Sequence, residues 1–250
     1  MARQKRREVS RIEGFSDAVF GFAVTLLVVS LEVPRSFDDL LALMRGLPAF
    51  AVSFAMLFQI WWRHYRFFRA YDLEDSYVVT LTAILLFVVL VYVYPLKFLW
   101  SFVFMQFVDA RRAATMLPRD AAWILFTIYG VGVAATFAVL ASLYGHAYAR
   151  RRELDLTPLE TVEARMEMFR NVGIAAIGAV SFGIALLARA FAPGLVGLAG
   201  FVYFLIGVSE WTIGAYGGRL RRKIVGARDS LLGTQEPSEP RAASRDARTL

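Results

Sequence analysis

The sequence predicts an all-α membrane protein with six membrane-spanning helices, and three observations carry that prediction. Apolar residues make up 58% of 250 positions, with a mean hydropathy of +0.51, whereas soluble domains hold about 45–50%. These residues gather into six runs long enough to cross a bilayer, which takes ~17–25 residues at a 1.5 Å rise. The formal charge of +7 falls in short segments between the runs, as it does in membrane proteins whose orientation is set by basic loops.

The first run, 14–33, is longer than the apolar part of a cleavable signal, and Glu32-Val33-Pro34 is a poor small-residue cleavage site. The second spans 47–68. The third, 77–104, contains Pro95, which removes a backbone donor and predicts a kink. In the fourth, 121–144, Gly130, Ala134, Ala138 and Ser142 recur at a spacing that favours close helix packing. The fifth spans 169–191. The sixth, 195–215, carries Gly200, Gly207 and Gly214 at every seventh position, which predicts a second close contact. Residues 1–225 therefore form one transmembrane domain. Residues 226–250 are rich in Ser, Pro, Arg and acids and are expected to be a disordered tail.

Basic residues orient the chain. With the N-terminus cytoplasmic, the inside segments hold the clusters within 3–11, 63–69, 150–152 and 219–223, together with Arg165 and Arg170. The outside segments hold Arg35, Arg45, Lys97, Arg111, Arg112, Arg119 and Arg189. That asymmetry places both termini inside. The connection 109–120 is unusually basic for an outside loop.

Several classes of chemistry are excluded. The chain has no cysteine, so disulfides, thiol nucleophiles and cysteine metal sites are absent. It has no phosphate-binding P-loop, no H-E-x-x-H and no G-x-S-x-G. No enzymatic activity, cofactor or resident metal is expected. The arginine clusters adjoin membrane ends, where anionic lipid headgroups account for them without nucleic acid.

A few polar residues stand out. Ser10 and Glu13 fit a capping box, S-x-x-E. Asp17 lies about two turns inside the first helix, where an ionisable group is costly and faces a partner or water. Glu210 lies inside the sixth run; the sequence leaves open whether it pairs with a basic group or with the Asp17 end. Of the two histidines, His146 reads as interfacial. The stretch 127–132, TIYGVG, has the wrong order for a carbonyl filter and reads as packing. Phe22, Leu26 and Val29 follow an i, i+4, i+7 spacing and share one face of the first helix, as apolar residues do on any membrane helix.

Arg11-Ile12-Glu13-Gly14-Phe15-Ser16-Asp17 resembles the R-x-x-x-F-S-D signature of the transmembrane-protein-175 potassium channel family. The likeness continues through residues 18–28 to Val33-Pro34, and Trp61-x-x-His64 looks like the family's W-x-x-H. It is carried by the first two helices. The resemblance implies a potassium-permeable channel in a prokaryotic cytoplasmic membrane, a homotetramer with six helices per subunit and no TVGYG filter. It implies a pore lined by the first helix of each subunit, with a hydrophobic constriction at Phe22, Leu26 and Val29 and a polar pore position at Thr25. Such a ring closes a pore by dewetting. It also implies a cytoplasmic brace of Arg11, Phe15, Ser16, Asp17, Trp61 and His64, in which a histidine can make gating pH-sensitive. Three positions depart from the family pattern. Phe22 replaces the usual Ile or Leu, Thr82 replaces an Asn, and Ser30 replaces an acid, with Glu32 nearby as a candidate outer mouth. The alternative is a proton-coupled secondary transporter using Asp17, His64 or Glu210. The unbroken first helix argues against it, because transporters favour discontinuous helices.

Overall fold

The computed structural model describes residues 9–29, 33–118 and 121–233. They form eight α-helices and no strand: α1 (Arg11–Val29), α2 (Phe37–Ala70), α3 (Ser76–Val108), α4 (Ala110–Met116), α5 (Ala122–Ala149), α6 (Pro158–Phe191), α7 (Leu198–Phe201) and α8 (Phe204–Gly233). Six segments are long and apolar enough to cross a membrane: α1, α2, α3, α5, α6 and the stretch 198–219 through α7 into α8.

Helix ends follow local chemistry. Ser36 starts α2 well before the apolar run, its hydroxyl accepting from Asp39 N–H while the Asp39 carboxylate accepts from Ser36 N–H. Thr157 and Glu160 make the same reciprocal box before α6, with Pro158 in the first turn. These boxes satisfy otherwise orphan amides and lengthen both helices beyond what hydropathy alone marks. Asp75 caps α3 through Val78 N–H at 3.0 Å. Asp109 ends α3 and caps α4, so the basic 109–120 connection contains a helix.

The most extensive contact is between α5 and α6. It depends on Gly130 and Gly178, which meet backbone to backbone. A Cβ on Gly130 would lie 2.9 Å from Gly178 O, and one on Gly178 would lie 2.7 Å from Ala134 N. Gly130 and Ala134 of the seam expected on the fourth run therefore meet α6, whereas Ala138 is exposed. The 195–215 run behaves differently. It breaks into a short 3-10 turn, α7 and α8, and Ser181 of α6 holds Ala199 O at 2.9 Å. Its glycines share no seam: Gly200 approaches Phe126, Gly214 approaches Arg170, and Gly207 faces open space.

At Pro95, α3 continues without ending. Tyr129 inserts into the hydrogen-bond ladder there, its hydroxyl donating to Pro95 O and accepting from Leu99 N–H at 3.2 Å. A side chain entering the ladder in this way is one of the physical causes of helix bending. Helix α8 continues past position 226 to Gly233; residues 234–250 of the expected tail lie outside the described residues. Ser30 and Glu32 also lie outside them.

Candidate functional site

Helix α1 has two unlike faces. Glu13, Ser16, Phe20, Ala23 and Leu27 are buried against the rest of the chain, and α1 packs on α2 and α3. The opposite face is uncovered. Phe15, Ala18, Phe22, Thr25 and Val29 lie on it, with Phe22 56% and Val29 69% exposed. The i, i+3, i+7 set of Phe22, Thr25 and Val29 shares this face, as helical periodicity requires. Leu26 sits at its edge, partly buried against the core. The Thr25 hydroxyl donates to Gly21 O at 3.0 Å, so its proton is engaged while its oxygen keeps acceptor capacity.

The N-terminal end of α1 is tied to α2 and α3. Asp17 Oδ1 accepts from Trp61 Nε1–H at 2.8 Å. The indole is held by stacking on Phe58 and Tyr65, with ring centres 5.2 and 5.3 Å away. His64 is buried between Phe20 and Phe68, and its Nε2 lies 3.5 Å from Thr82 Oγ1. Thr82, expected to weaken a polar network here, thus meets the histidine. Three expected brace members are placed differently, Phe15 among them on the uncovered face. The Ser16 hydroxyl donates back to Ile12 O at 2.7 Å. Arg11 is exposed and makes no hydrogen bond or ion pair with Asp17, Trp61 or His64 among the described residues. Ser10 accepts from Glu13 N–H at 3.2 Å, which supplies one half of the expected capping box.

On the other side of the same α2 turn, Arg63 is buried and paired with Glu210, which answers the question the sequence left open about Glu210. Arg66 and Arg170 both pair with Glu167. Hydropathy reasoning missed this group by counting all three arginines as loop charges. The available signal was Glu167 and Asn171 at i, i+4, together with an ionisable residue inside the last span.

His146 pairs with Asp75 at 2.7 Å, as does Arg150, and His146 packs on Tyr77. Burial disfavours the charged form of Asp75. The hydrogen bonds from His146 and Val78 N–H, with the charges of His146 and Arg150, outweigh it and hold the carboxyl below the usual carboxylate range. Among the described residues, no group of three or more His, Asp or Glu side chains is placed to hold a metal ion.

Residues 11–92, covering α1, α2 and half of α3, match the family described as Endosomal/lysosomal potassium channel TMEM175. A protein of Marivirga tractuosa named Potassium channel is 37% identical over 207 residues, spanning 80% of this chain and 83% of that one. The chain belongs to the TMEM175 family. A potassium channel of Chamaesiphon minutus is 39% identical over 72 residues, 26% of this chain and 36% of its own length. The crystal structure of a variant of the potassium channel MtTMEM175, bound to a nanobody–MBP fusion protein, superposes with a TM-score of 0.75 at 34% identity. That likeness covers 87% of this chain and 96% of the other. This TMEM175 protein is accordingly a multi-pass membrane protein of all-α architecture.

Proposed function

We propose that the protein is a potassium-permeable channel whose copies assemble as a homotetramer with four α1 helices around a central axis. The observation that carries the reading is the uncovered α1 face bearing Phe22, Thr25 and Val29, in a chain of this family. A membrane helix that leaves a threonine and apolar rings free needs lipid or other copies to cover it, and a ring of copies turns that face toward a shared conduit. Phe22, Leu26 and Val29 then form the constriction, and rings of apolar side chains resist hydration. Thr25 supplies hydroxyl oxygens beside them. Asp17, Trp61 and His64 fix the cytoplasmic end of α1, and Glu32 remains the candidate outer mouth.

In this reading the partners are potassium ions, membrane lipid and further copies of the chain, with no cofactor and no nucleic acid. The channel is passive and catalyses no reaction. It sits in the cell membrane with both termini cytoplasmic, an orientation supported by the basic clusters near 3–11, 150–152 and 219–223. Purified protein in liposomes tests it. A potassium gradient alone should drive potassium flux. Flux that requires a proton gradient and saturates at low turnover would instead establish the transporter alternative.

A further inference from the structure

One buried ionic group lies off the open α1 face. Arg63 lies on α2 between Trp61 and His64, with its side chain only 7% exposed. Its Nη2 donates to Glu210 Oε1 at 2.9 Å and its Nη1 to Asn171 Oδ1 at 3.3 Å. Glu167 Oε2 lies 3.8 Å from Nη1, the Phe137 ring centre lies 5.6 Å from the guanidinium carbon, and the Arg63 carbonyl accepts from Tyr144 O–H at 2.9 Å. A single residue of α2 therefore engages α5, α6 and α8. The group extends further: Glu167 holds Arg66 and Arg170, and Arg170 Nε lies 3.1 Å from Glu210 Oε2. A guanidinium removed from water is tolerated only when paired and hydrogen-bonded. Several charge-assisted bonds fix its position more sharply than apolar packing does.

The opposite side of the same turn holds α1 and α3. Trp61 donates to Asp17, and His64 meets Thr82 and Phe20. One turn of helix, positions 61–64, thus connects the α1 end to α6 and α8 through short, directional contacts.

We propose that Arg63 and Glu210 form a lock through which α8 restrains the pore-lining helix, making both of them positioning residues for gating that lie outside the ion path. The inference rests on the channel reading. With the pair closed, the 61–64 turn is pinned against α6 and α8, and α1 is held with it through Asp17. Neutralising Glu210 leaves Arg63 with Asn171 and the more distant Glu167, so the turn loosens while the guanidinium keeps partners. Helix α1 then moves outward more readily, and the constriction opens more often.

Single-channel recording of full-length protein in planar bilayers, in symmetrical potassium, tests the lock. Glu210→Gln should raise open probability about tenfold, the scale of one charge-assisted hydrogen bond. Unit conductance and the potassium-to-sodium ratio should not change. Glu153→Gln, which removes an exposed carboxylate paired among the described residues with Arg150 alone, should behave as wild type. A merely structural loss would lower the number of active channels and leave their open probability alone. If Glu210→Gln fails to assemble, Arg63→Lys takes its place with the same expectation, because an ammonium lacks the fork that reaches Glu210 and Asn171 together. Unchanged open probability in assembled channels overturns the lock and leaves the channel reading standing. Altered unit conductance or selectivity also overturns it, by placing Glu210 in the ion path. Wild-type protein that passes no potassium defeats the channel reading and the lock together.

Discussion

Truncating Phe22 and truncating Leu27 change the same helix by similar volumes, yet should have opposite consequences. Phe22 is 56% exposed and Leu27 is 1% exposed. Inside a bilayer a side chain stabilises by packing against its neighbours rather than by leaving water. With more than half of Phe22 uncovered, Phe22→Ala forfeits less than half of the packing lost when a buried Phe is truncated, or roughly 1–2 kcal/mol per subunit. Leu27→Ala empties a packed position and costs ~2–5 kcal/mol. In the channel reading the effects on permeation run the other way. Phe22→Ala removes a ring of phenyl groups from the constriction, so potassium flux per channel should rise. Leu27→Ala touches the buried face only, so its assembled channels should keep the wild-type unit conductance. Thermal unfolding in detergent gives the first comparison, and single-channel recording gives the second. Equal destabilisation by Phe22→Ala and Leu27→Ala, or wild-type conduction by intact Phe22→Ala channels, would refute this contrast between the two faces.

Further outcomes follow from individual contacts. Asp17→Asn keeps an acceptor for Trp61 but removes the charge from that 2.8 Å bond; a loss of about 1 kcal/mol per subunit is expected, seen as reduced oligomer on native sizing with unit conductance retained. Intact oligomers with altered selectivity would contradict it. Gly178→Ala places a Cβ 2.7 Å from Ala134 N; because backbone cannot yield as a side chain does, α5 and α6 must separate at a cost of ~1–3 kcal/mol, and an unshifted melting temperature would count against the packing described. The pH dependence of Asp75→Asn follows from the sign of its shift. The folded carboxyl lies below its unfolded value of about 3.9, so its stabilisation is complete above that pH and is lost as pH falls through the lower folded value. The melting difference between wild type and Asp75→Asn should therefore shrink as pH falls below about 4. A difference that persists undiminished at lower pH would refute the assignment.

Much of the architecture could be read in the residues because membrane helices announce themselves by length. The runs near α1, α3 and α5 correspond to helices close to their expected limits, since few other structures satisfy a backbone in lipid. The longer reach of α2 and α6 depended on the Ser36–Asp39 and Thr157–Glu160 boxes, which hydropathy does not weigh. Pairing across the fold was harder to read. Arg63 meets Glu210 across 147 positions of sequence, and no local pattern specifies such a partner. Asp17 and Trp61 were legible only because a motif joins them. The spacing that groups Phe22 with Leu26 and Val29 could not reveal that Leu26 lies at the partly buried edge of the open face while Thr25 sits centrally on it; that depends on where α2 and α3 pack.

The absence of native cysteine makes the central claim directly measurable. Single cysteines introduced along α1, as Phe22→Cys, Thr25→Cys and Val29→Cys on the open face and Ala23→Cys and Leu27→Cys on the buried face, can be exposed to a charged, water-soluble thiol reagent during potassium flux. Modification should reduce flux at the three open-face positions and have no effect at the two buried ones. Open-face cysteines that stay unreactive to the charged reagent, while a lipid-soluble one labels them without loss of flux, would place that face against the bilayer and contradict the α1-lined pore.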